Sequence, residues 1–232
     1  MEKEKKMKIL VFGTGVMANI LAKSIKKPHE FVGMIEPLDM KDEKKDFDII
    51  IDFSNHLATK DLLNFAINKK KPIVIATTGQ TKEEMEAIKE ASKQIPILKI
   101  SNTSIGVKVL NKLARLATKM LEDFDIEIVE AHHNRKIDSP SGTALTLAKE
   151  IQKEREVKII TNRVGKREKD ELCIHSLRAG SIVGEHAVIF AGEDEILEIK
   201  HTALSRKIFA LGSIKYASKL IKLDKGLYYD ID

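Results

Sequence analysis

The order of apolar runs predicts an α/β protein in two parts: a parallel sheet flanked by helices, and an α+β part whose sheet is mostly antiparallel. Three observations carry this. Short strand patterns alternate with helical ones over roughly the first hundred residues, as βαβ crossovers require. Beyond that, three strand-like runs follow one another with no helix between them. The chain, 232 residues and 43% hydrophobic, has enough apolar side chain to build cores for both parts.

In the first part, Lys8–Phe12 is a short apolar strand, Gly13-Thr14-Gly15 turns the chain, and Met17–Ile25 continues at helical spacing. Phe31–Ile35 is a second strand, closed by Glu36. Asp48–Phe53 is a third, followed by a helix over Leu57–Asn68 that ends in Lys69-Lys70-Lys71, where cations suit a helix C-terminus. Ile73–Ala76 is a fourth strand, leading through Thr77-Thr78-Gly79 into a charged helix over Lys82–Lys93, and Ile97–Ile100 is a fifth. The pattern then changes. A helix over Val107–Leu121 precedes a strand at Asp125–His132, and Ser141-Gly142-Thr143 opens a helix running to Lys153. The strands Glu171–Arg178, Ile182–Phe190 and Glu195–Ala203 follow, turning at Ala179-Gly180 and at Ala191-Gly192-Glu193-Asp194. A helix over Arg206–Leu223 closes the chain.

Composition excludes several classes. Net charge is +5, but Lys and Glu are interspersed and only 5% of residues are aromatic, so no basic stripe offers itself to nucleic acid. No apolar run approaches the length of a membrane span. The segment Met1–Met7 is too polar for a secretory signal, and the single cysteine, Cys173, has no partner for an internal disulfide. These features predict a cytoplasmic protein with Cys173 as a buried core thiol.

Strand, glycine turn, helix, and an acid after the second strand form the dinucleotide-binding arrangement of a Rossmann-like sheet. Gly13 permits the tight turn and Gly15 lets backbone approach a pyrophosphate. Ala18 stands where a third glycine often packs helix on strand. Glu36, 23 residues past Gly13, suits the adenosine ribose hydroxyls. A carboxylate there repels the 2′-phosphate of NADP, Pro37 follows in place of an Arg, and Val16 brings no cation. NADH is therefore favoured, with NADPH left open by Lys41, Lys44 and Lys45.

The most chemically loaded stretch is Glu130-Ala131-His132-His133-Asn134-Arg135-Lys136-Ile137-Asp138-Ser139-Pro140-Ser141-Gly142-Thr143. Imidazole exchanges protons near neutral pH, an ammonium stabilises developing negative charge, and a helix start favours an anion. Together they describe a site that holds a carboxylate and moves a proton. Adjacent histidines on a strand point to opposite faces, so no metal site is expected from the pair. His186 and His201 read as sheet-surface or interface residues, and Asp138 as a holder of the loop before Pro140.

At this point the sequence resembles the 4-hydroxy-tetrahydrodipicolinate (dihydrodipicolinate) reductase family nearly end to end. The likeness rests on Asp52-Phe53-Ser54, Thr77-Thr78-Gly79, the run Ser101–Val107, and the His-His…Lys…Pro-Ser-Gly-Thr block. Further on it includes Arg178-Ala179-Gly180, Val183-Gly184-Glu185-His186 and Ser205-Arg206. The resemblance implies NAD(P)H-dependent reduction of a cyclic imine dicarboxylate with loss of water, in lysine and diaminopimelate biosynthesis. It implies His132 as the acid–base residue, Lys136 as second proton donor and carboxylate ligand, and His133, Ser141, Gly142 and Thr143 as further substrate contacts. Cofactor contacts are implied at Gly13, Thr14, Gly15, Val16 and Met17 after the first strand and at Glu36 after the second. Others are implied at Phe53 and Ser54, at Ala76, Thr77 and Thr78, and at Ser101, Asn102 and Thr103. It further implies a dinucleotide-binding domain over 1–102, completed by 207–232, and a substrate-binding and oligomerisation domain over 103–206 that makes a homotetramer through its sheets. The sequence departs from the family in a shorter glycine loop lacking its last glycine, in Ala76, Thr103 and Lys108, and in a short Lys158–Glu171 segment.

Two other readings stay open on sequence alone. A different two-domain NAD(P) oxidoreductase, such as an amino-acid dehydrogenase, has no need of the His-His…Lys…Ser-Gly-Thr spacing. A nucleotide-sensing scaffold that has lost catalysis predicts the loss of His132 or Lys136, and both are present.

Overall fold

The computed structural model describes residues 6–40 and 43–231; the polar start at 1–5 and Lys41 lie outside them. Contacts divide the chain into two compact units, Met1–Ser104 with Arg206–Asp232, and Ile105–Ser205.

The first unit contains β1 (Lys8–Phe12), α1 (Val16–Ser24), β2 (Glu30–Ile35), β3 (Ile49–Asp52), α2 (Thr59–Lys69), β4 (Ile73–Ile75), α3 (Lys82–Ala91) and β5 (Pro96–Lys99). After the second unit come α6 (Lys207–Leu220) and β11 (Gly226–Tyr228). Its six strands are all parallel, in the order β11-β5-β4-β3-β1-β2. Ile9–Phe12, Ile49–Ile51 and Ile73–Ile75 are fully buried, which explains their unbroken apolar runs: a parallel sheet is covered on both faces. Leu62, Leu63, Ala66 and Ile88 of α2 and α3 pack with Leu10, Ile50 and Ile73 on one face, while α1 and α6 pack together against the sheet. A reciprocal Thr81–Glu84 capping box starts α3. The strand order reverses at β1, between β2 and β3, which sets a ligand crevice at the carboxyl ends of these strands.

β11 was not anticipated. Gly226-Leu227-Tyr228 is too short to show a period, and only its pairing with Pro96–Leu98 makes it a strand. The helix expected from Leu57 begins instead with a 3-10 turn at His56–Ala58, because the Asn55 side chain accepts the Leu57 N–H.

The second unit contains α4 (Ile105–Met120), β6 (Asp125–His132), α5 (Gly142–Gln152), β7 (Lys158–Thr161), β8 (Glu171–Arg178), β9 (Glu185–Ala191) and β10 (Ile196–Thr202). The sheet order is β10-β9-β6-β8-β7. β6 pairs antiparallel with β9, and β9 with β10, as a meander end. The direct β8–β9 hairpin implied by consecutive strand runs is not made. β6 lies between them and runs parallel to β8, because the α5 crossover brings the chain back in the same direction. The Lys158–Glu171 segment hides the edge strand β7, parallel to β8. Leu110, Ala114 and Ala117 of α4, with Leu147, Ala148 and Ile151 of α5, pack on Ile126, Ile128, Leu172, Ile174, Val188 and Phe190. This covers one face of the sheet.

Within the first unit, a Cβ on Gly212 of α6 would lie 1.8 Å from the Thr103 carbonyl oxygen, and the Thr103 hydroxyl donates to the Phe209 carbonyl at 2.7 Å. The helix therefore seats directly on the 101–104 backbone. Gly212→Ala is expected to cost about 1–3 kcal/mol or more by overpacking, lowering Tm by several degrees. Leu211→Ala, at a position 48% exposed, serves as the control; equal melting of Gly212→Ala and wild type would refute the contact.

Candidate active site

At the carboxyl edge of the first sheet, Gly13 has φ +106° and a Cβ there would come 2.7 Å from the Phe53 carbonyl oxygen. Only glycine fits both demands. Gly15 caps α1 with no side-chain hydrogen bond, and a Cβ on it would meet nothing within 4 Å. The first turn of α1 is thus left for an anion. Thr14, Gly15, Glu36 and Val16 are exposed and Met17 half-buried. The Thr14 hydroxyl donates to Glu36, joining the β1 and β2 turns where a ribose would sit. Lys45 Nζ stands over Gly33 and faces Glu43 at 3.8 Å. This cradle fits a dinucleotide.

The next turns are held from beneath by Asp52, which is 2% exposed. It accepts the Ser54 N–H at 2.9 Å and the Ser54 hydroxyl at 2.6 Å. The buried Thr77 hydroxyl oxygen also lies 2.8 Å from the Ser54 nitrogen. Lys99 Nζ donates to the Thr77 carbonyl at 2.9 Å. Burial raises Asp52 to about 6 despite these donors, and burial lowers Lys99. Phe53, Ser54, Ala76 and Asn102 are half-buried and Thr78 and Ser101 exposed along this edge, whereas Thr103 is buried with its hydroxyl on α6.

In the second unit, Glu130 is fully buried on β6. Glu130 and His132 share a strand face, being two residues apart, and His132 Nδ1 lies 2.5 Å from Glu130 Oε2. Arg178, at the end of the paired strand β8, forks onto the carboxylate at 2.7 and 3.0 Å. The Ser141 N–H donates to Glu130 Oε1 at 3.2 Å. Burial works to raise Glu130, but the hydrogen bonds from His132 and Arg178 overcome it and hold the carboxyl well below its ordinary value. Lys136 Nζ lies 2.7 Å from Asp138. Burial opposes ionisation of Asp138, and the Lys136 partner outweighs it, so that carboxyl is also lowered.

His186 corrects its sequence reading. It is 3% exposed, on the helix-covered face, with Nε2 3.1 Å from the Ser141 hydroxyl and its ring edge-on to His132 at 5.1 Å. Burial, then the neighbouring His132, pushes it down to about 3, so it is a neutral imidazole. It lies inward because the β6–β9 register sets it opposite Glu130. Ser141 caps α5, its oxygen accepting the Ala144 N–H at 3.2 Å; its single proton is left for His186. Gly142 is exposed at the first turn, and His133 and Thr143 are half-buried. Asp138 does hold the loop, its carbonyl accepting from Arg178 at 2.7 Å.

Among the described residues, two trios place ligand-type atoms within 4.8 Å of one another, Glu130/His132/His186 and Glu127/Cys173/His175. In each an arginine, Arg178 or Arg163, already occupies the carboxylate and brings a competing positive charge. Sequence reasoning gave no role to Asp52, Lys99, Glu130 or Arg178. The available signal was the two-residue Glu130–His132 spacing on a strand.

Residues 32–103 match the family model described as "Dihydrodipicolinate reductase, N-terminus", and residues 106–232 the one described as "Dihydrodipicolinate reductase, C-terminus". The chain belongs to the dihydrodipicolinate reductase family. It is 44% identical over 226 residues to a 4-hydroxy-tetrahydrodipicolinate reductase of Brachyspira hyodysenteriae, covering 96% of this chain and 97% of that one. It is 43% identical over 240 residues to the enzyme so named from Caldanaerobacter subterraneus, covering 96% of each. Among solved structures, the dipicolinate-bound dihydrodipicolinate reductase of Paenisporosarcina sp. TG-14 superposes with a TM-score of 0.78 at 20% identity, over 97% of this chain and 98% of that one; at that identity the likeness establishes the fold.

The Asp52 hub makes a pH-dependent prediction. Its folded pKa lies above the ordinary 3.8, so the folded state holds the proton more tightly and this group's contribution to stability falls as pH rises from about 4 to about 6. Asp52→Asn, which keeps an acceptor for Ser54, removes that titration. Urea unfolding from pH 4 to 7 should show wild type losing stability relative to the variant across this window; a constant difference would show that Asp52 ionises normally.

Proposed function

We propose that the protein reduces 4-hydroxy-tetrahydrodipicolinate to tetrahydrodipicolinate with loss of water, at the expense of NAD(P)H, in lysine and diaminopimelate biosynthesis. The observation that carries this reading is the match of both parts of the chain to one reductase family. His132, Lys136 and the α5 start, gathered at one end of the second sheet, give the reading its chemistry.

The substrate ring bears two carboxylates, and the bound reduced nicotinamide supplies hydride to its conjugated imine. Negative charge then develops on the ring and a proton must reach it. His132 serves as the acid–base group through the nitrogen that Glu130 leaves available. Lys136 shifts from Asp138 to the substrate and stabilises the charge as second donor. Gly142 and Thr143 take one carboxylate at the α5 start, where the dipole favours an anion, with His133 as a further ligand. Ser141 acts by holding that turn, since its hydroxyl is engaged with Ala144 and His186. The glycine turn, Glu36 and the Ser54, Thr77 and Ser101–Thr103 loops hold the nucleotide.

Within this reading NADH is used at least as well as NADPH, supported by the exposed Glu36, Pro37 after it, and the apolar Val16. A homotetramer built through the second sheet is supported by exposed apolar residues there, Leu177 at 50% and Ile196 at 71%. No helix among the described residues is long and apolar enough to cross a membrane. A cytoplasmic location is supported by the free Cys173.

His132→Gln or Lys136→Ala is expected to lower kcat by about two to four orders of magnitude while leaving NADH affinity within a few-fold, as read by steady-state kinetics and nucleotide titration. Near-normal kcat in both variants would end the assignment. Side-by-side kinetics with the two nucleotides should give a kcat/KM for NADH equal to or above that for NADPH; a strong NADPH preference would show that Lys41, Lys44 or Lys45 outweighs the Glu36 carboxylate.

A further inference from the structure

We propose that Glu130 is the positioning residue of the proton-transfer centre: it holds His132 through Nδ1, presents Nε2 for exchange, and ties the imidazole to the α5 start. The inference deepens the reading of His132 given above and rests on it.

The carboxylate has three partners, which make four contacts. Oε2 faces His132 Nδ1 at 2.5 Å and Arg178 at 3.0 Å, and Oε1 accepts from Arg178 at 2.7 Å and from the Ser141 N–H at 3.2 Å. An ionised carboxylate only accepts, so Nδ1 must carry a hydrogen. Neutral His132 then has its lone pair on Nε2, and that nitrogen alone takes up and gives back a proton. Glycine at position 184 provides the room: a Cβ there would lie 3.1 Å from His132 Nε2. On the other side the ring meets the edge of His186. The same oxygen that binds Arg178 holds the first turn of α5, so one rigid fork sets the acid–base nitrogen and the proposed carboxylate site together. Preorganisation of this kind acts on kcat more than on ground-state binding.

The groups facing His132 and its surroundings are Glu130 on β6, Arg178 on β8, the neutral His186 on β9 and His201 on β10. Lys136 and Asp138 lie in the loop after β6. Of these, Glu130 is the acid in direct contact with the ring. Removing its charge while Arg178 remains disfavours the imidazolium, so protonation needs a lower pH. A merely structural anchor would alter stability without moving this titration or the ring tautomer.

The test compares wild type, Glu130→Gln and His132→Gln. Steady-state kinetics from pH 5 to 9 and binding of pyridine-2,6-dicarboxylate are measured for all three. Ring 15N NMR of His132 is recorded in wild type and Glu130→Gln. Expected for Glu130→Gln is a loss of about 100-fold or more in kcat, with dicarboxylate binding changed by a few-fold only. The pH limb that His132→Gln abolishes should move to lower pH, and the Nδ1–H tautomer population should fall, because the amide NH2 competes with its oxygen for Nδ1. If Glu130→Gln does not fold, the wild-type spectrum still decides, since an Nε2–H tautomer there overturns the proposal. Loss of activity in His132→Gln with kcat, limb and tautomer unchanged in Glu130→Gln overturns the positioning role and leaves the acid–base reading standing. Activity retained in His132→Gln overturns both.

Discussion

A carboxylate with no access to water is stable only if its neighbours replace the hydration it gave up, and Glu130 meets that condition with an imidazole, a guanidinium and a backbone amide. Each partner comes from a different segment: His132 from the same strand, Arg178 from β8, Ser141 from the start of α5. The requirement to satisfy one charge therefore fixes three pieces of chain against each other. It also accounts for the parallel β6–β8 pairing, since Arg178 stands opposite His132 only in that register. His186 completes the arrangement from β9 by accepting the N-cap hydroxyl, which keeps the first helical turn from rotating.

The first unit uses the same device in weaker form. Asp52 lies at the end of β3 and gathers Ser54 beneath the nucleotide edge, with Thr77 and Lys99 extending the network across β4 and β5. Here the burial cost is only partly offset, and the raised pKa records the difference. Both units thus place a buried acid just below the loops proposed to meet ligands. The loop backbones at Ser54 and Thr77 are held by polar contacts to rigid strand ends.

Much of this was legible in the sequence where a period or a local motif sufficed. β1, β6 and β8 were bounded to the residue because their strand patterns stop at Gly13, His132 and Arg178. The tight turn between β1 and α1 was readable from Gly13 and Gly15, and the α5 start from Ser-Gly-Thr. Legibility failed where a partner distant in sequence decides the outcome. β7 and β11 are strands only because β8 and β5 lie beside them. His186 looked like a surface residue because its neighbours Glu185 and Ala187 face the other side, and nothing local says which side is covered. Glu130 and Arg178 lie 48 residues apart, and neither forecasts that the other neutralises it.

Gly212 against Thr103 has a consequence for how the polypeptide matures. The inserted unit, Ile105–Ser205, has all its strands once residue 205 has been synthesised. The surrounding unit must wait for α6 and β11, which follow the inserted unit in sequence. Domains tend to fold as units during synthesis, and pairings of high sequence separation form slowly. The nascent chain therefore carries a parallel sheet open along β5, with part of one face uncovered, until α6 and β11 emerge.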